Sequence, residues 1–180
     1  MEHDKKFYVI ILIVLICVGL LFIVMTHGAR NTAIGMEENI ANAKSQINVQ
    51  EKRRSDLIPK LVECVKEYDK HEYEVLMAIV GERSDSDEAS EEIKTKIQAV
   101  AEAYPELKSN ENYKTLMTEL ALTENSIANY RNAYNERVKE YNRHVRRFPQ
   151  TLFFNIVKYE PKTYKYLEFE TKEIESLFGS

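Results

Sequence analysis

The sequence has no tryptophan, five glycines, four prolines and two cysteines among its 180 residues. Each shortage removes something. With so few glycines there is no phosphate-cradling loop and no Gly-x-Ser-x-Gly nucleophile motif. Of the two thiols, Cys17 falls in an apolar stretch expected to span a membrane and Cys64 in the part outside it, so no intramolecular disulfide is expected and the compartment is not fixed by cysteine usage. The histidines, His3, His27, His71 and His144, are scattered. His71-Glu72 is followed by Tyr73-Glu74, which is not the two-histidine helical zinc spacing. A net charge of −4 supplies no basic field for nucleic acid. These absences lead us to expect no enzyme, no catalytic residue, no metal, no cofactor and no nucleic-acid partner.

What is present is a helical composition, 44% hydrophobic and 30% charged, rich in Glu, Lys, Ala, Leu and Asn. Its one long apolar run covers residues 7–25, without a charge from Phe7 to Met25. As a helix it would extend ~28 Å, enough to cross a hydrocarbon core, and the lipid bilayer is its expected partner. A cleaved signal peptide fits less well, because Thr26-His27-Gly28 is a poor cleavage site. A lipoprotein fits no better, because Ile16 before Cys17 is not small. Lys5 and Lys6 precede the run, and Arg30 and Lys44 follow it at greater distance. The positive-inside rule then places the amino terminus in the cytoplasm and the remainder outside the cell membrane, by a narrow margin.

The rest of the chain is organised around Asn110 to Phe148. Tyr113, Leu120, Ile127, Tyr134, Tyr141 and Phe148 recur every seven residues, with Leu116, Met117, Thr123, Tyr130, Val138 and Val145 between them. That pattern predicts one amphipathic, coiled-coil-like helix ~55–60 Å long, capped at its start by Asn110 and stopped by Pro149. Residues 26–35, with Gly28 and Gly35, read as a short junction. An earlier helix is expected from Met36 to Gly81, kinked near Ser55 or Asp56 by Pro59. Another runs from Asp87 to Tyr104, with Ile93, Ile97, Val100 and Tyr104 on one face and Pro105 at its end. Pro105 to Ser109 reads as an extended connector. Phe153 to Val157 suggests two helical turns, and Glu160-Pro161 starts an aromatic return segment that should close an open seam. The predicted fold is all-α: a transmembrane helix at 7–25, an up-and-down bundle of three to four helices at 36–169, and a C-terminal tail at 170–180. Counting reversals places the basic end of the central helix far from the membrane.

The candidate polar sites are few. Lys52-Arg53-Arg54-Ser55-Asp56 could hold an anion, but pairing of Arg53 or Arg54 with Asp56, Glu119 or Glu124 is the favoured reading, as a polar layer that fixes helix register. Asn125 adjoins that layer. Tyr134-Asn135 and Tyr141-Asn142, one heptad apart, fit the same account, since a buried tyrosine hydroxyl needs a partner. A ligand groove lined by these residues is the alternative. Arg137, Lys139, Arg143, Arg146 and Arg147 make a basic patch that a helix C-terminus stabilises without any ligand. Glu63, Glu67 and Glu74 read as a solvated face, and Cys64, among Leu61, Val65 and Tyr68, reads as a buried structural thiol.

Several stretches carry a family resemblance: Gln46 to Gln50, Lys52 to Pro59, Ala99 to Lys108, Thr123 to Ala128, and the Tyr-Asn pairs at 134–135 and 141–142. In this order they resemble the LemA family, from Ile40 to Phe169. The resemblance implies a bacterial protein with one amino-terminal membrane span and a helical bundle, and some members are structural components of specialised membranes. It brings no active site to carry over. Asn48 and Glu51 stand where Asp and Leu are usual, and the stretch from Gly81 to Ile93 is shorter than in many members. The expected function is that of a membrane-anchored scaffold or protein-interaction module with protein partners, homo-oligomerisation being left open. The alternatives are a ligand binder or enzyme using the layer around Arg54, and a membrane-shaping component.

Overall fold

The computed structural model describes residues 2–83 and 86–167. Its order is α1 (Glu2–Val65), α2 (Lys70–Arg83), α3 (Asp87–Ala103), α4 (Pro105–Ser109), α5 (Glu111–Arg146) and α6 (Gln150–Ile156). The fold is all-α, as the periodicity requires. The expected tail at 170–180, like Phe169, lies outside the described residues.

α1 is longer than the pattern suggested. It begins with the apolar run, continues through residues 26–35 and passes Pro59 without interruption. A glycine inside a helix costs about 1 kcal/mol but does not break it, so Gly28 and Gly35 are not a junction. The cause of continuity is a buried stripe. Thr26, Ala33, Ile40, Ile47, Arg54 and Leu61 are all buried, each seven residues from the next. The apolar part is long and hydrophobic enough to cross a membrane. An 18-residue window of it has mean hydropathy 3.4, and none of that window is buried by other elements.

The chain divides into two compact units, where the sequence suggested one domain. Ala43 to Asn132 form the first, and the residues up to Asn42 together with those from Ala133 onward form the second. The first has an aliphatic core of Ile58, Leu61, Val62, Val65, Leu76, Ile93, Ile97, Val100, Leu107 and Leu120. Tyr113, Leu120 and Ile127 of the central heptad are buried here. A reversal missing from the sequence reading falls at 66–69. The amides of Tyr68 and Asp69 both donate to the Val65 carbonyl, at 2.9 Å each, and close the end of α1. Asp69 then caps α2 by accepting from the Glu72 amide at 3.0 Å. Asp69-x-x-Glu72 has the spacing of a capping box, a signal outweighed by the apolar periodicity that continues through Val75, Leu76 and Ile79.

α3 starts as expected, its amino end capped by Ser86, whose hydroxyl accepts from the Ala89 amide. Pro105 does not open an extended connector. It occupies the first turn of the short α4, where its missing amide hydrogen costs nothing. Asn110 caps α5 through bonds from the amides of Asn112 and Tyr113 to its side-chain oxygen, at 2.9 and 3.2 Å.

The second unit packs Ala33 and Ile40 of α1 with Tyr134, Val138, Tyr141 and Val145 of α5 and Phe153 and Phe154 of α6. Tyr141 meets Glu37, whereas Phe153 meets Phe22. As residue numbers rise along α5 and α6, those of their α1 partners fall, so α5 runs toward the apolar stretch. This overturns the expected direction. The unforeseen reversal at 66–69 adds one change of sense, and Arg143, Arg146 and Arg147 end beside the apolar part of α1 instead of far from it. Phe148, the last of the heptad set, is 77% exposed because α5 has already ended at Arg146.

Candidate functional site

Two polar centres, one in each unit, take in Arg54, Glu124 and Tyr141 of the residues singled out from sequence. In the first unit, Arg54 takes a core position on the α1 stripe and is only 2% exposed. Its Nη1 donates to Asp87 Oδ1 at 2.6 Å and lies 3.8 Å from Glu124 Oε1. Asp87 also accepts from Arg131 at 2.6 Å, and Arg131 reaches Glu51 at 2.9 Å. The result is a chain of charges, Glu124–Arg54–Asp87–Arg131–Glu51, drawn from α1, α3 and α5.

The electrostatics follow from the geometry. Burial alone would raise the Asp87 carboxyl, but bonds from Arg131 and Arg54 outweigh it and hold it below the usual range. Glu124 is pushed upward because its burial outweighs the more distant Arg54. Arg131 is pulled upward chiefly by its bond to Asp87. Arg53 makes only an exposed contact with Glu119 at 3.7 Å, and Asp56 pairs with Lys52 on the surface. Asn125 is exposed.

The second centre is one that sequence reasoning missed. Glu37, 8% exposed, sits among Ala33 and Ile40 on the buried face of α1. It accepts from the hydroxyls of Tyr141, at 2.9 Å, and Tyr159, and from the Lys162 ammonium at 2.7 Å. Burial opposes its charge, but Lys162, Tyr159 and Tyr141 together hold the carboxyl below its ordinary value. Burial and the hydrogen-bonded Tyr159 and Glu37 push the Tyr141 hydroxyl far upward, so it remains a donor. The Tyr141 oxygen in turn accepts from the Lys162 amide at 2.9 Å.

The Tyr-Asn repeats therefore do not partner each other. Asn135 pairs reciprocally with the backbone of Leu167, at 2.8 Å in both directions, as a strand neighbour would. Tyr134 donates to the Lys165 carbonyl at 3.3 Å. These bonds hold the extended return segment, which the aromatic tail had led us to expect. Asn142 is half-buried. Of the basic patch, Arg137 pairs with Glu140 and Lys139 with Glu136, while Arg143, Arg146 and Arg147 are exposed at the α5–α6 corner.

Glu51, Asp87, Arg131, Glu37, Tyr159 and Lys162 were not foreseen. Some left a trace: Glu51 and Arg54 are three apart and Glu124 and Arg131 seven apart, each pair on one helix face, and Glu37 is an acid on an apolar stripe. Asp87 left none, since an acid in the first turn of a helix is already accounted for by the helix dipole. Cys64 is half-buried, not buried, on an open groove with Lys60, Glu67, Tyr68 and Asn112. Burial and the neighbouring Glu63 and Glu67 raise its thiol. Among the described residues no group of three or more His, Cys, Asp or Glu converges as a metal cage requires.

The family profile described as "LemA family" matches residues 43–176, about three quarters of the chain. The chain belongs to the LemA family. A relative, Protein LemA of Metamycoplasma hominis, is 30% identical over 185 aligned positions, covering 95% of this chain and 81% of that protein. The LemA match takes in the whole Arg54 network and, from the second centre, Tyr141, Tyr159 and Lys162, but begins six residues after Glu37. The acidic side of that centre thus comes from the part of α1 that precedes the matched region.

Proposed function

We propose that this LemA-family chain is a non-enzymatic, membrane-anchored interaction module of the bacterial envelope, held in the cell membrane by residues 7–25. Its helical remainder would face the extracytoplasmic side and engage protein partners. The observation that carries this reading is the internal use of Arg54. A guanidinium that is 2% exposed and bonded to Asp87 through Nη1 joins three helices, and its unpartnered Nε is buried away from solvent rather than presented to a substrate. Buried ion networks of this type often serve to specify register, and they can be replaced by apolar or neutral groups of similar volume without loss of the fold.

That property supplies the test. The double variant Arg54→Met/Glu124→Gln, expressed in cells that lack the native protein, should restore whatever phenotype the deletion causes. Photo-crosslinks from the helical surface to protein partners should persist. A folded double variant that fails to complement would mean that the charges themselves act on a ligand, and the enzyme or ligand-binding alternative would replace the scaffold.

A further inference from the structure

The corner between α5 and α6 combines features that the scaffold reading does not use. The Phe153 ring meets Phe22 edge to face, with centroids 5.6 Å apart. Phe22 lies three residues inside the carboxyl end of the uncharged run, about 4–5 Å along the helix from its edge. Thr26, one turn later, is 3% exposed, although Met25 and His27 on either side are exposed. α6 therefore lies beside the last turns of the apolar helix.

Only part of the apolar surface of the corner is used in that packing. Phe153 and Phe154 point inward, while Phe148, Leu152 and Ile156 remain 77%, 46% and 50% exposed. Leu152 and Ile156 are four apart and share one face of α6. Among the described residues beyond Met25 the other exposed large hydrophobic side chains, Val49, Met77, Leu122 and Tyr166, are scattered singly, which is ordinary; three within nine residues form a patch. The charge is equally local. From Arg143 to Tyr159 there is no acidic residue, yet Arg143, Arg146, Arg147 and Lys158 all fall there, in a chain whose net charge is −4.

We propose that this corner is a second membrane-contacting element. It would lay Phe148, Leu152 and Ile156 at the acyl boundary and set its four cations against anionic phospholipid headgroups. Amphipathic interfacial segments combine apolar burial with cation–headgroup attraction in this way. Position selects lipid over a protein partner, because the patch is continuous with a helix surface that is itself built for lipid. The inference rests on reading residues 7–25 as a membrane span.

The test is depth-resolved quenching in the full-length chain, with Cys17 and Cys64 replaced by Ala, reconstituted in phosphatidylcholine–phosphatidylglycerol vesicles. A fluorophore is attached singly at Ile16→Cys, Leu152→Cys or Lys139→Cys. Lys139 lies near the level of Glu37, twelve residues or ~18 Å beyond Met25, outside a headgroup layer ~5–8 Å thick. Chains brominated near their methyl ends should quench position 16 most, chains brominated near the headgroup should quench position 152 most, and both should spare 139. Brominated phosphatidylglycerol should quench 152 more than brominated phosphatidylcholine at equal mole fraction, and Arg146→Gln/Arg147→Gln should remove that preference. Quenching at 16 without quenching at 152 overturns the proposal and leaves the span standing. No quenching at 16 overturns the span and the proposal with it. Quenching at 152 with no headgroup preference overturns the assignment to anionic lipid.

Discussion

Arg54 and Glu37 both occupy the buried side of α1, but they are held by opposite means. Arg54 is fixed by carboxylates on two other helices, within an aliphatic core. Glu37 is fixed by two phenol hydroxyls and one ammonium, two of the three from the non-helical return segment. The first arrangement locks helix against helix, where each element already has its backbone bonds made. The second ties down a stretch that has no secondary structure of its own, and whose amides at Lys162 and Leu167 are satisfied by the side chains of Tyr141 and Asn135. Polar groups in a core can therefore set register in one unit and substitute for a missing strand partner in the other.

The largest test of this contrast is Arg54→Ala. It leaves the half-buried Glu124 short of a cation and opens a hole where a 2% exposed side chain stood, and should cost about 3–5 kcal/mol in unfolding followed by circular dichroism of the detergent-solubilised chain. Arg54→Met/Glu124→Gln should recover most of it, because Glu124 is already pushed toward its neutral form. If the double variant is as unstable as the single one, the ions are more than a register device. Next in size is Ile127→Ala, in the same unit and 3% exposed, which should cost about 2–4 kcal/mol. An apolar deletion that matters less than this would mean that the charge network, not the aliphatic seam, dominates that unit.

In the other unit Tyr141→Phe removes a hydroxyl that gives one bond to a charged group and accepts another, and should cost about 1.5–3 kcal/mol. Its effect should be local, deprotecting the Lys162 amide in hydrogen exchange more than the helical amides of α5. Acid should imitate it. The Glu37 carboxyl is held below its ordinary value of 4.5, so the stabilisation it provides is complete above that pH. It is lost as pH falls through the lower folded-state value. After correction for intrinsic exchange, Lys162 should lose protection on acidification before Leu167, whose partner Asn135 does not titrate. Simultaneous loss would mean that the return segment detaches as one piece. The smallest effect is expected from Glu136→Ala, on the exposed face of α5, below about 0.5 kcal/mol.

Much of this was legible because it is local. Period-seven apolar spacing located α5, Asn110 marked its start in the way capping chemistry demands, and nineteen uncharged residues announced a helix fit for a bilayer. The run of cations at 52–54 called for a carboxylate partner but left open whether Arg53 or Arg54 paired and with which of Asp56, Glu119 and Glu124, and the return of the aromatic tail followed from apolar side chains with nowhere else to go. Local signals fail where one of them must overrule another. At Asp69 a capping sequence competed with an unbroken apolar rhythm, and choosing the rhythm removed one reversal and inverted the direction of everything after it.

The sequence by itself determined the helices, their buried faces and the apolar run, because these depend on spacings within about two turns. Only the tertiary structure decided which distant groups meet. Asp87 between Arg54 and Arg131, Glu37 under Tyr141 and Tyr159, and Phe153 against Phe22 each join residues at least 33 positions apart. No periodicity reaches that far. Such contacts depend on how many times the chain turns back, and here one aspartate at the start of α2 set that number and with it the side of the molecule on which the basic corner lies.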